Sequence, residues 1–132
     1  MIYLLDTNTC IRYLTQRSSA VVTRVSATAP NDMSLCSIVQ AELYFGAYNS
    51  ARPASNLAVL SNFFSLFSCL PFDDKAAEIY GRERARLNSL GTPTGHNDLM
   101  IASIALANNL TLVTHNTREF SRIAGLQLED WE

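Results

Sequence analysis

The chain opens with five apolar residues, Met1–Leu5, which stop abruptly at Asp6 and the small polar residues Thr7, Asn8 and Thr9. A continuous apolar run of this length, ended by turn-forming side chains, predicts a strand buried on both faces. The same texture returns at Met33–Ser37 and at Leu110–Thr114. Between these runs the apolar residues change to helical spacing. Thr9–Leu14 begins a first helix, and Ser37 followed by Gln40 forms a capping-box signature for a helix through Ala47. Leu57–Leu70 carries Leu and Phe at three- and four-residue intervals and predicts another helix. Asp73 or Asp74 can cap the next one, which ends at Gly91, a residue suited to a helix C-terminus. The segment DLMIASIALA, starting at Asp98, is apolar almost all round and predicts a helix buried on most sides. A short helix near Arg118–Ile123 and a strand at Leu126–Leu128 complete the pattern.

Strands alternating with helices imply right-handed crossovers, hence an α/β fold in three layers, α/β/α, with a central and mainly parallel sheet. No repeat, low-complexity tract or linker interrupts the 132 residues, so one domain over 1–132 is expected. Ligands of open α/β sheets bind outside the carboxyl ends of the strands. Asp6 stands at such an end, and Asn116 lies two residues beyond another. Position alone makes Asp6 a site candidate.

Twelve acidic residues are present, and most must be surface. Taken singly, Asp6 can be a helix N-cap, Glu42 an edge residue of its helix, and Asp98 a carboxylate favoured by a helix dipole. Taken together, each adjoins an apolar stretch near a helix start at the same sheet edge. Three carboxylates meeting there would repel, so protons would be held or a cation bound. Oxygen ligands without Cys or His favour Mg²⁺ or Mn²⁺ over zinc. Thr7, Asn8, Thr114 and Asn116 offer hydroxyl and amide groups that can orient such carboxylates or their water, or serve only as turn residues. His96 and His115 can each reach a phosphate, but read first as surface polar residues. Glu83 sits in the face formed by Ala76, Ile79, Tyr80, Leu87 and Leu90; pairing with an arginine and bordering the acidic cleft both stay open. Arg82 and Arg86 share one side of that helix and Arg84 lies opposite, so they form no basic stripe.

Hydrophobic content of 48% with 17% charged residues leaves little room for disorder. The apolar runs are too short to span a membrane, and the N-terminus lacks the features of a signal peptide, so a cytoplasmic address is expected. Cys10, Cys36 and Cys69 form no C-x-x-C pair and read as buried small hydrophobes. A net charge of −2 argues against non-specific coating of nucleic acid, while allowing a site that engages a few phosphates. Nine of the ten basic residues are arginine, the side chain suited to bidentate phosphate contacts.

Four blocks, in order and at this spacing, resemble the PIN-domain ribonucleases, specifically VapC-type toxins of bacterial toxin–antitoxin pairs. They are LLDTNTCI, AELYFGA, GTPTGHNDLMIA and LVTHNTREFSRIAGLQLEDW, and they run through essentially the whole chain. The resemblance implies a PIN-like fold with an acidic cleft that holds Mg²⁺ or Mn²⁺. It makes Asp6 and Asp98 direct metal ligands and Glu42 the third catalytic acid. Where many relatives place a fourth acid this chain has Asn116, and Glu119 in TREF is a candidate for part of that charge. An apolar residue is usual where this chain has Glu83. The implied reaction is hydrolysis of RNA by in-line displacement, with Glu42 positioning or deprotonating the water and products bearing a 3′-hydroxyl and a 5′-phosphate. The anticodon stem-loop of initiator tRNA is the leading substrate implied, with translation inhibited until a VapB-type antitoxin neutralises the toxin. A homodimer is implied as well, with higher assembly on the antitoxin and operator DNA contacted only through it.

Two rivals fit less of the sequence. A haloacid-dehalogenase-class phosphatase also begins with an apolar strand ending in Asp, but needs an acid two residues on, where Asn8 stands, and a placed lysine, of which Lys75 is the only one. A non-enzymatic module that kept the fold would not require acids at all three positions.

Overall fold

The computed structural model describes residues 1–132. Its elements run β1 (Tyr3–Leu5), α1 (Thr7–Thr15), α2 (Ser19–Ala27), β2 (Met33–Cys36), α3 (Ser37–Tyr48), α4 (Pro53–Phe64), β3 (Ser68–Leu70), α5 (Asp74–Ser89), α6 (His96–Ala107), β4 (Thr111–Val113), α7 (Thr117–Phe120) and β5 (Leu128–Glu129). The five strands form one sheet in the order β3-β2-β1-β4-β5. Every pairing is parallel, with Tyr3 opposite both Met33 and Thr111, and Leu5 opposite Val113.

The reversal of strand order at β1 puts the first two crossovers on one face and the last two on the other. Right-handed connections then lay α1–α4 on one face and α5–α7 on the other. That double covering explains the continuous apolar strands: Leu4, Leu5, Leu35, Cys36, Leu112 and Val113 are all buried. They belong to one cluster of 28 buried hydrophobic residues.

Chain direction fixes where each candidate acid goes. α1 and α3 leave directly from the carboxyl ends of β1 and β2, so their N-termini sit at that edge. Only Asn108–Leu110 separate α6 from β4, so the C-terminus of α6 must lie at the amino edge. Its N-terminus, with Asp98 in the first turn, therefore returns to the carboxyl edge.

Several boundaries differ from the sequence pattern. The helix expected over Leu57–Leu70 begins earlier, on Pro53, and stops at Phe64; Ser68–Leu70 is instead the edge strand β3, paired to Ser34–Cys36. Its half-exposed edge position removes the alternation that would have marked it. Helix α2 was not anticipated, because its valines and threonine are weak helix formers and only Val21 and Val25 are buried. The capping box at Ser37 does not form: Ser37 is already helical, and Cys36 at the cap makes no side-chain bond. α6 starts at His96 rather than Asp98, α7 stops at Phe120, and the last strand is Leu128–Glu129. Cys10 and Cys36 are buried as expected, whereas Cys69 on β3 is exposed. Asp73 caps α5 through the Ala76 amide, and Gly91 takes the left-handed conformation (φ 70°) just past its end, both as read from the sequence.

Leu112 lies fully buried in β4 between the two helical layers. Leu112→Ala should lower unfolding stability by about 2–5 kcal/mol in urea titrations. A loss below about 1 kcal/mol would contradict a strand packed on both faces.

Candidate active site

Asp6 is both a cap and a cleft residue. Its Oδ1 accepts the Thr9 amide at 2.8 Å, which fixes the start of α1, and its own amide donates to the Val113 carbonyl at 3.1 Å. The Thr9 hydroxyl donates to the same carbonyl at 3.2 Å, tying α1 to β4. Burial raises the Asp6 pKa, while the Thr114 hydroxyl and the Thr9 amide and hydroxyl pull it back; nearby Glu132 raises it further. Of these partners Thr114 was foreseen and Thr9 was not, although an Asp N-cap bonds by habit to the residue three on.

Glu42 projects from the second turn of α3 and is pinned by the Thr7 hydroxyl, which donates to Oε1 at 2.6 Å. Asp98, half-buried in the first turn of α6, has its pKa raised to about 6. Burial is the main cause, followed by the charges of Glu119, Glu42 and Asp6 in that order. No hydrogen-bond donor offsets them. The three acids read from the sequence therefore do meet in one electrostatic field, together with Glu119.

Glu119 is placed by Asn116. The Asn116 amide donates to Glu119 Oε2 at 2.8 Å, and the Gly95 amide approaches Oε1 at 3.3 Å. A Cβ added to Gly95 would lie 3.8 Å from Asp98 Oδ2 and 4.0 Å from Glu119 Oε1, so both carboxylates converge on that corner. Asn116 also donates its backbone amide to the Thr114 hydroxyl at 3.0 Å. Asn8 is exposed and makes no hydrogen bond to the acids, so it falls outside the cluster.

The cleft itself has a volume of about 520 Å³ and is lined by Glu42, Thr94, Gly95, His96, Asn97 and Asp98, none of them hydrophobic. Its wall holds the one buried side-chain polar atom with no hydrogen-bond partner, the Thr94 hydroxyl. Such a group destabilises by about 1–3 kcal/mol. Thr94 and Gly95 were missed as site residues because GTPTGHN reads as turn chemistry. His115 stands apart: its Nδ1 is 2.9 Å from Asp130 and 3.7 Å from Glu132, within an exposed trio whose donor atoms lie within 4.8 Å of one another. Glu132 pairs in turn with Arg12 at 3.2 Å. The cleft carboxylates form no trio that tight. Glu83 does not line the cleft and pairs with Arg86 one turn along α5.

A set of carboxylate oxygens short of donors fits a hard divalent cation, which would relieve the repulsion on Asp98. Asp6, Asp98, Glu42 and Glu119 are the residues able to hold it.

The chain is similar to known proteins along nearly its whole length. Residues 3–126 match the family model for the PIN domain. Ribonuclease VapC2 of Rickettsia felis is 39% identical over 133 residues, covering 100% of this chain and 99% of that protein. The tRNA(fMet)-specific endonuclease VapC of Salmonella typhimurium is 41% identical over 129 residues, covering 98% of this chain and 97% of that protein. A crystal structure of DNA-bound VapBC from Salmonella typhimurium superposes with a TM-score of 0.94 at 40% identity, covering 100% of this chain and 99% of that one.

Because the folded-state pKa of Asp98 is above its ordinary value of 3.8, the fold favours the protonated form. Its ionisation therefore weakens the metal-free protein as pH rises through about 6. Asp98→Asn should unfold at a higher temperature than wild type at pH 7.5 in chelator, with the gap closing as pH falls from 6 toward 4. A gap independent of pH, measured by calorimetry, would contradict the crowding.

Proposed function

The chain belongs to the PIN-domain family, within its VapC group, and on that premise we propose that it is the ribonuclease toxin of a VapBC-type pair. In this reading a single PIN domain over 1–132 hydrolyses phosphodiester bonds in RNA. The observation that carries it is the convergence of Glu119, Glu42 and Asp6 on Asp98 at the carboxyl edge of the sheet.

Asp6 and Asp98 would hold the cation, Mg²⁺ or Mn²⁺, with Glu119 contributing negative charge from the Asn116 side. The bound ion supplies Lewis acidity, activating water and offsetting the charge that develops on the scissile phosphate. Glu42, held by Thr7, accepts the proton of the attacking water. Thr9 and Thr114 keep Asp6 oriented and favour its ionised form. His96 and Asn97, exposed on the cleft wall, are in position to meet the RNA backbone.

For the substrate we favour tRNA, with the initiator tRNA anticodon stem-loop first, because the Salmonella relative is a tRNA(fMet)-specific endonuclease. Translation would stop until an antitoxin binds. An apolar groove of about 380 Å³ between α1, α3 and α4, lined by Ile11, Leu14, Leu43, Val59 and Leu60, ends at Glu42. It suits the tail of a VapB-type antitoxin, whose basic side chain would then enter the acidic cleft and compete with the metal. Tyr44, Phe45 and Tyr48 are exposed along α3, a surface that favours covering by a second copy in a homodimer. Operator DNA would be contacted through the antitoxin. No helix is long and apolar enough to cross a membrane; a cytoplasmic site of action follows from the substrate.

RNA cleavage by the purified chain should disappear in EDTA and return with Mg²⁺ or Mn²⁺. Asp6→Asn and Asp98→Asn should abolish it without loss of fold, and Glu42→Gln should slow it by about 10²–10⁴-fold. Full cleavage by both aspartate variants would remove these residues from the chemistry, and activity persisting without metal would refute the mechanism.

A further inference from the structure

One buried acid has no part in the cleft. Glu83 lies in α5 with only 3% of its surface exposed, among Ala76, Ile79 and Leu87. A carboxylate so placed needs compensation on both oxygens. Oε2 takes the Arg86 Nε at 2.5 Å, and Oε1 accepts the backbone amide of Ala124 at 3.0 Å. Arg86 completes the bridge by donating from its terminal nitrogen to the Arg122 carbonyl at 2.8 Å.

Both long-range bonds land on the same three residues, Arg122–Ala124, immediately after α7. That helix is one turn long and carries Glu119, so its own hydrogen bonds do little to fix it. Phe120 in α7 and Ile123 just beyond it are buried anchors, but apolar contact is non-directional and fixes position along the sheet poorly. The bonds to Glu83 and Arg86 are directional and oppose sliding. Glu119 in turn shares the Gly95 corner with Asp98: a Cβ on Gly95 would lie 4.0 Å from Glu119 Oε1 and 3.8 Å from Asp98 Oδ2.

We infer that Glu83 and Arg86 form a positioning clamp that sets α7, and through it Glu119, at the metal-binding corner of the cleft. The inference rests on the nuclease reading above. Glu83 touches neither cation nor RNA; it acts through Glu119.

The test is Mn²⁺ affinity of the full-length, RNA-free protein, read from the electron paramagnetic resonance of free Mn²⁺. Glu83→Gln keeps an acceptor for Ala124 but breaks the charge pair, and should weaken Mn²⁺ binding about tenfold, as is usual when support of a ligand is lost. Arg86→Lys should weaken it less. Arg82→Gln, which removes only the exposed pair with Glu78, should leave it unchanged. In a Glu119→Gln background Glu83→Gln should have no further effect, the signature of action through Glu119. At saturating Mn²⁺, kcat of Glu83→Gln should recover with KM for RNA unchanged.

Wild-type Mn²⁺ affinity in Glu83→Gln, even with a lower unfolding temperature, would make the pair a packing feature and overturn the inference. Effects additive with Glu119→Gln would do the same. Should Glu83→Gln fail to fold, Arg86→Lys decides alone by the same readout. The Asp98→Asn protein separates the two levels: unaltered Mn²⁺ binding there sinks the metal site itself, whereas loss there with none in Glu83→Gln sinks only the clamp.

Discussion

Like charges gathered at the carboxyl edge of a parallel sheet are the constraint around which the rest of this molecule is arranged. Each acid is brought there by a different element and tied by a different neighbour: Asp6 by the first amides of α1, Glu42 by Thr7, Glu119 by Asn116. Asp98 alone has no such partner, and it absorbs the repulsion of the other three. A fold that kept these groups only for stability would have paired Asp98 or replaced it. The surrounding ties resist mutual repulsion and leave one corner short of positive charge. A divalent cation would meet that shortage.

Much of this was legible in the sequence because the central strands are covered on both faces. The continuous apolar runs at Met1–Leu5 and Leu110–Thr114 read as inner strands and do contain β1 and β4, although Met1 and Ile2 lie outside β1 and are exposed; the residues that end the runs stand at the strand ends. Asp6 followed directly. Asp98 followed from a helix too apolar to expose, whose charged first turn had to point at an edge. The edge strand β3 was hidden for the opposite reason: Ser68 and Cys69 are exposed, and the Leu and Phe of α4 run almost up to them. Helix α2 was hidden because two buried valines four residues apart make too faint a stripe.

Within the site, residue type was readable and partnership was not. Asn116 could be seen to stand where an acid is common, but only the structure shows that its side-chain amide holds Glu119 by a hydrogen bond. Glu83 could be seen to interrupt an apolar face; its partners, Arg86 three residues on and Ala124 forty-one residues on, come from local geometry and from tertiary packing respectively. Thr9 and Asn8 look equally suitable in DTNT, yet the helix turns Thr9 inward to the Val113 carbonyl and Asn8 out to solvent. Whatever fills the groove that ends at Glu42 arrives beside the acids.

The most direct measurement is the anomalous diffraction map of a crystal of the free chain soaked in Mn²⁺. A peak between Asp6 and Asp98, with Glu42 and Glu119 turned toward it, is the expected result. A map in which Mn²⁺ occupies only the exposed group His115, Asp130 and Glu132, with the cleft acids bare at saturating metal, would contradict the proposal that their crowding exists to hold a cation.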